Sequence, residues 1–201
     1  EQAALVVWAV KPQTFKEAAL QTHPHTQGAL HLSVAAGIRS DSIARWLGTE
    51  RVVRAMPNTP ALICKGMTAL VARAGVTADD RGRVEHVMAP TGDCLWVEQE
   101  VQLDAVTALS GSGPAYVFFF LEAMTQAGVD MGLPHAQAQQ LAVGTFVGAS
   151  ELARASDEPP EVLRQRVTSK GGTTYAAISS MEQDNVKMLF MRALHAAQQR
   201  A

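Results

Sequence analysis

Several kinds of site cannot be assembled from this chain. It carries two cysteines in 201 residues, Cys64 and Cys94, which excludes a disulfide framework and predicts a reducing, cytosolic setting. Its six histidines show no metal-site spacing: His23 and His25 flank a proline in a polar stretch, while His31, His86, His135 and His195 stand apart. No zinc centre is expected from such a pattern. There is no cationic excess either. Lysine and arginine total 17 against 19 acidic residues, for a net charge of −2 and a pI of about 6.3, which excludes a basic nucleic-acid surface. Long apolar runs are also missing. The longest, residues 115–123, is broken by Glu122 and falls well short of the roughly 20 residues that a membrane helix needs.

What is present is an ordinary globular composition, 47% hydrophobic and 18% charged, with material for one or two cores. Apolar patterning predicts strands at 5–10, 29–34, 51–56, 67–72 and 94–97. Between them lie predicted helices near 15–20, over 41–47 with Ser40 or Asp41 as the cap and Gly48 as the stop, and over 77–88 with Asp79 and Asp80 in the first turn. Strands alternating with helices predict an α/β fold with a mostly parallel, doubly wound sheet. The run at 5–10 is apolar throughout, the pattern of a strand buried on both faces. Such a strand seldom opens a fold, and the chain does not begin with Met, so a further segment is expected to precede it.

From residue 101 onward strand signals cease, and helices are predicted over 101–109, 115–129, 134–155, 159–167, 173–182 and 185–200. The two patterns place a domain boundary between residues 98 and 99, with 1–98 as the sheet domain and 99–201 as an all-α domain. Within the second, Phe118-Phe119-Phe120-Leu121 is apolar around the whole turn. Such a segment is buried, either against a partner subunit or at the centre of a single bundle.

Ligands of open α/β sheets bind beyond the carboxyl ends of the strands. Three loops fall there: Ala9-Val10-Lys11-Pro12, Val34-Ala35-Ala36-Gly37 and Met56-Pro57-Asn58-Thr59-Pro60. The small residues of the second let a flat ligand approach the backbone. Lys11 can face a phosphate or a ribose hydroxyl, and the prolines of the third are expected to hold Asn58 and Thr59 outward. In the second half, Thr168-Ser169-Lys170-Gly171-Gly172-Thr173-Thr174 joins two helices. Its glycines allow a sharp turn, a threonine hydroxyl can cap the next helix, and the free N–H groups there suit a small anion such as a carboxylate. A plain helix–loop–helix turn accounts for the same residues. The G-x-G-x-x-G turn of a dinucleotide site is lacking; Ser110-Gly111-Ser112-Gly113-Pro114 opens a helix instead. Phosphate-binding strands, if the protein uses a dinucleotide, are expected in the preceding segment.

These segments, in this order and together with Leu109-Ser110-Gly111-Ser112-Gly113-Pro114-Ala115-Tyr116, resemble the pyrroline-5-carboxylate reductases over nearly the whole chain. Met-Pro-Asn-Thr-Pro at 56–60 and Ser-Gly-Ser-Gly-Pro-Ala-Tyr at 110–116 carry most of the specificity. The resemblance implies a truncated Rossmann-type sheet followed by a helical dimerisation domain. It implies reduction of 1-pyrroline-5-carboxylate to L-proline by NADPH or NADH, the last step of proline biosynthesis, in a cytoplasmic homodimer that is often built into decamers. It also implies an active site between one subunit's cofactor domain and helices at the dimer interface, which favours the partner reading of the Phe118 segment. No nucleic acid, membrane or metal is expected to take part.

Residue by residue, Ala9, Val10, Lys11, Pro12, Val34, Ala35 and Ala36 match family positions that contact the cofactor. Pro57 and Asn58 match the loop facing the nicotinamide. Ser169, Gly171, Gly172, Thr173 and Thr174 match the loop gripping the substrate carboxylate, with Thr174 as the catalytic candidate beside the ring nitrogen. Three positions depart from the pattern. Asp157 stands where some members carry a Glu near the substrate, Arg166 where some carry an Asn reaching the cofactor, and Lys170 where many carry Pro. Two other readings stay open. One is another imine or β-hydroxyacid oxidoreductase of similar build, although no Lys or Asp of the helical half stands in an evident catalytic position. The other is a non-catalytic, carboxylate-binding dimeric module.

Overall fold

A computed structural model describes residues 3–201 of the chain. Strands β1 (Leu5–Trp8), β2 (Leu30–Ser33), β3 (Val52–Met56), β4 (Gly66–Ala72) and β5 (Gly92–Trp96) form one sheet in that order. β1, β2 and β3 are parallel, β4 runs antiparallel to β3, and β5 is parallel to β4. Helices α1 (Pro12–Thr22), α2 (Ser40–Leu47) and α3 (Ala78–Met88) alternate with the strands, in agreement with the doubly wound reading. Successive side chains of a strand point to opposite faces. Val52 therefore joins Trp8, Phe15, Ile43 and Leu47 in one core. Val53 and Ala55 join Leu30, Leu32, Leu70, Val84 and Met88 in the other.

Two expectations about this part need correction. β1 is not buried on both faces: it is an edge strand of the described sheet, it ends at Trp8, and Val7 is 47% exposed. Nor do Ser40 or Asp41 cap α2. The N-cap is Arg39, whose side chain makes no cap bond, and Ser40 is already helical. The acceptor arrives from far along the chain. Glu100 takes hydrogen bonds from the Ser40 N–H at 2.6 Å, the Ser40 hydroxyl at 2.5 Å and Arg54 Nη1 at 3.0 Å. Arg73 also reaches the Ser40 hydroxyl, at 3.3 Å. Arg54 is 5% exposed. Burial pushes the Glu100 carboxyl up, but the bonds from Ser40 and Arg54 outweigh it and hold the group below the usual carboxylate range.

The helical half contains α4 (Gln102–Val106), a π-turn (Thr107–Gly111), α5 (Gly113–Asp130), α6 (His135–Ala155), α7 (Pro160–Arg166), α8 (Thr173–Gln183) and α9 (Val186–Arg200). The helix predicted over 101–109 thus widens after Val106, where Ser112 N bonds to Thr107 O at 2.8 Å. The chain divides into two compact units. The first runs up to Pro114 and includes His195–Ala201; the second is Ala115–Leu194. The stretch 99–114, assigned to the helical half from sequence, packs with the sheet, because Leu103 is fully buried beside Ala69 and Val71.

The second unit buries little of itself. Among its described residues, α5 buries Thr125 and Gly128, α6 buries Ala138 and Ala142, and α7 and α8 bury none. Phe118 and Phe119 remain 58% and 67% exposed. They are not the centre of a bundle within one chain, and an apolar surface of this kind marks a protein–protein interface.

Two measurements test this account. Glu100→Ala leaves the Arg54 charge buried and unpaired, and should cost about 3–5 kcal/mol in chemical denaturation. The second concerns pH. Trp8 Nε1 donates to His31 Nδ1 at 3.0 Å in the core, and burial, the largest cause, lowers the His31 pKa from the ordinary 6.5. A histidine held neutral in the fold contributes stability that is complete above about 6.5 and lost as the pH falls towards its lowered folded value. Replacing His31 with Gln should flatten the stability profile in that window.

Candidate active site

In the first unit the carboxyl ends of β1, β2 and β3 are neighbours. Trp8 pairs with Ser33 and Ser33 with Arg54, and Val34 N bonds to Trp8 O at 3.1 Å. The three loops foreseen from sequence therefore share one rim. Ala9, Val10, Lys11 and Pro12 are all exposed. Lys11 is the extended N-cap of α1 without a side-chain cap bond, and Pro12 is the first helical residue. In the second loop, Ala35 N donates to Ser33 Oγ at 3.3 Å, while Ala36 and Gly37 are exposed and Gly37 turns at φ +72. With side chains this small, the loop offers a ligand mainly its backbone.

The third loop corrects an expectation. Asn58 does not point outward. Its Oδ1 accepts from Met67 N at 2.9 Å, and its Nδ2 donates to Ser110 O at 3.3 Å and to Ser110 Oγ at 3.2 Å. Both ends of the amide are engaged inside the unit. Pro57 beside it is half-buried, whereas Thr59 is exposed. The rim as a whole presents open backbone, small side chains and one lysine, a donor set that fits a flat nucleotide and its phosphate or ribose oxygens.

The second unit holds the other candidate. Residues 169–172 form a turn closed by Gly172 N bonding to Ser169 O at 3.0 Å. Gly171 occupies its third position at φ +77, a conformation that an L side chain resists. A Cβ on Gly172 would stand 2.8 Å from Ser169 Oγ, so this position too accepts only glycine without a shift. Here another expectation changes. Gly172, not a threonine, is the N-cap of α8, and it provides no side-chain cap bond. Thr173 and Thr174 lie inside the first turn, where an N-capping residue must be non-helical. The first N–H groups of α8 are thereby left without a side-chain acceptor, at the end of the helix that attracts negative charge. Thr174 is half-buried and Thr173 exposed.

The three departures from the family pattern fall as follows. Asp157 is exposed in the bend between α6 and α7. Arg166, at the end of α7, pairs with Glu158 at 2.6 Å. Lys170 occupies the second position of the 169–172 turn and is exposed. Among the described residues no three acidic, His or Cys side chains gather as a metal site, and no helix is long and apolar enough to cross a membrane. Two residues escaped sequence reasoning. Glu100 gave no local signal, since its partners lie 46 and 60 positions away. Ser110 did give one: the residue four ahead is Pro114, which has no N–H to offer the Ser110 carbonyl.

A mostly parallel sheet whose rim offers open backbone, small side chains and one lysine, followed by helices with a glycine turn before the N-terminus of α8, has the build of a cofactor-dependent oxidoreductase acting on a small molecule. The pyrroline-5-carboxylate reductase dimerisation family matches residues 100–201. The pyrroline-5-carboxylate reductase of Pseudomonas aeruginosa is 44% identical over 99% of this chain and 74% of its own length. The solved enzyme of Coxiella burnetii superposes with a TM-score of 0.94 at 39% identity, covering 98% of this chain and 74% of that one. The pyrroline carboxylate reductase of Plasmodium falciparum, solved with NADP bound, superposes with a TM-score of 0.88 at 30% identity, over 98% and 75%. The chain belongs to the pyrroline-5-carboxylate reductase family, and its second half is a dimerisation domain.

The turn makes opposite predictions at adjacent positions. Gly171→Ala should cost about 1–2 kcal/mol, because it forces a side chain into the left-handed region. Lys170→Pro, at the position where a turn of this shape prefers proline, should gain about 0.4–1 kcal/mol. Thermal unfolding of the two variants reads both.

Proposed function

We propose that this chain catalyses reduction of 1-pyrroline-5-carboxylate to L-proline by hydride transfer from NADPH or NADH, the last step of proline biosynthesis. The observation that carries the reading is the turn at 169–172 leading into the uncapped N-terminus of α8. A cyclic imine bearing a carboxylate has one fixed negative charge, and that helix end offers N–H groups and a favourable dipole to it. In this reading Ser169, Gly171, Gly172 and Thr173 bind the carboxylate. Thr174 is the second residue of the same helix, and its hydroxyl orients the ring nitrogen and relays a proton to it from water. A threonine hydroxyl has no pKa suited to a free acid, so its part is orientation and relay rather than acid catalysis.

When bound, the nicotinamide supplies the hydride. The chain's part is to hold the imine carbon in place and exclude wrong geometries, and positioning of this kind can remove about 7–11 kcal/mol of barrier. Lys11 is assigned to a phosphate or ribose oxygen. The backbone of Ala9, Val10, Pro12, Val34, Ala35 and Ala36 lies along the cofactor, and Pro57 and Asn58 shape the rim near the nicotinamide. Asp157 is assigned to the substrate edge. Arg166 is assigned to the cofactor, and to reach it the side chain must leave Glu158. Residues 1–98 then supply the cofactor domain, and 99–201 the helical dimerisation and substrate-binding domain. A cytoplasmic location is in keeping with the two free cysteines, and a decamer built from dimers is the larger assembly that the family resemblance implies.

Thr174→Ala should lower kcat by about 100-fold, the low end of what a positioned proton-transfer group contributes, without changing the unfolding midpoint or the dimer. Thr174→Ser should recover most of the rate. Steady-state kinetics with 1-pyrroline-5-carboxylate decide it, and an alanine variant of undiminished kcat would remove Thr174 from the chemistry.

A further inference from the structure

Asn58 is a half-buried polar residue on the ligand rim whose side chain is turned away from any ligand. Its neighbours explain why. In a regular helix the Ser110 carbonyl would accept from the residue four ahead, and here that residue is Pro114, which has no N–H. Asn58 Nδ2 supplies the missing donor at 3.3 Å and also reaches Ser110 Oγ at 3.2 Å. At its other end Oδ1 takes Met67 N at 2.9 Å, near the start of β4. One side-chain amide thus stands in for a peptide group between β4 and the π-turn. The same turn is pressed on the end of β3, where a Cβ on Gly111 would meet Met56 Cε at 2.6 Å. Five-residue π segments of this kind recur at functional sites.

We propose that Asn58 is a positioning residue of the reductase site: it locks the loop after β3 to the π-turn through Ser110 and Met67, and does not itself bind the cofactor. The proposal rests on the reductase reading for its kinetic consequence alone. The brace is a property of the fold and can be measured without turnover.

The test uses Asn58→Asp, Asn58→Ala and Ser110→Ala. Aspartate keeps the acceptor for Met67 N but sets a carboxylate oxygen against the Ser110 carbonyl; alanine removes both bonds. Both Asn58 variants should lose about 100-fold in kcat, the scale of an ångström misplacement, with the Kd for NADPH within about threefold of wild type. Hydrogen exchange at the Met67 amide should accelerate in Asn58→Ala and stay slow in Asn58→Asp. Ser110→Ala keeps its carbonyl and should be milder, adding nothing when combined with Asn58→Asp because both act through one contact. A weakened NADPH Kd with kcat preserved would make Asn58 a cofactor ligand and overturn the proposal. Unchanged Met67 exchange in Asn58→Ala, or additive effects of the Ser110 and Asn58 substitutions, would overturn it equally. A wild-type protein that fails to reduce the imine would instead sink the reductase reading, while the exchange data still decide the brace.

Discussion

The fold of the first unit turns on the ion pair between Arg54 and Glu100. Arg54 projects from β3 on the side that packs against α2, at the end of a core built mainly of apolar residues. A guanidinium there is tolerable only with a countercharge, because an unpaired charge in low dielectric costs several kcal/mol. Glu100 provides it through Oε1, which also accepts the Ser40 N–H at the start of α2, while Oε2 accepts the Ser40 hydroxyl. One carboxylate thereby fixes where α2 starts, where β3 lies, and where the chain re-enters after β5. The second rim loop leads directly into α2, so its position depends on that same carboxylate.

The helical unit rests on a different constraint. Its helices bury few side chains on one another and leave large aromatic and aliphatic residues open. Aromatic contacts such as Tyr116–Phe190 and Phe120–Phe190 give it internal order, while Phe118, Phe119 and Leu141 keep more than half of their surface open. A domain of this composition completes itself by association, as the dimerisation family it matches implies.

The two candidate regions share a chemical style. Each relies on backbone groups held by glycine, proline and small residues rather than on titrating side chains. Several groups whose ionisation the environment shifts, such as Asp80 with Arg51 and Glu50 with Arg73, are engaged in ion pairs of the sheet unit. That division suits hydride transfer, where the electronic demand falls on a cofactor and the protein's contribution is geometry.

Local patterning was enough to determine much of this. Apolar runs and their spacing located every strand and nearly every helix, because periodicity is set by the geometry of each element alone. The ordered motifs from Ala9 to Thr174 named the family. What the sequence misjudged were ends and directions: the cap of α2, the cap of α8, the two-sided burial of β1, the helix that became a π-turn and the facing of Asn58. The cap of α2 and the facing of Asn58 depend on partners far along the chain, the burial of β1 on its place in the sheet, and the cap of α8 on the turn just before it. Only the tertiary structure decided that Glu100 caps a helix 60 residues earlier, or that Asn58 serves a carbonyl orphaned by Pro114. A hydrogen-bonding group takes whichever partner the fold brings within about 3 Å, and no local pattern records that distance.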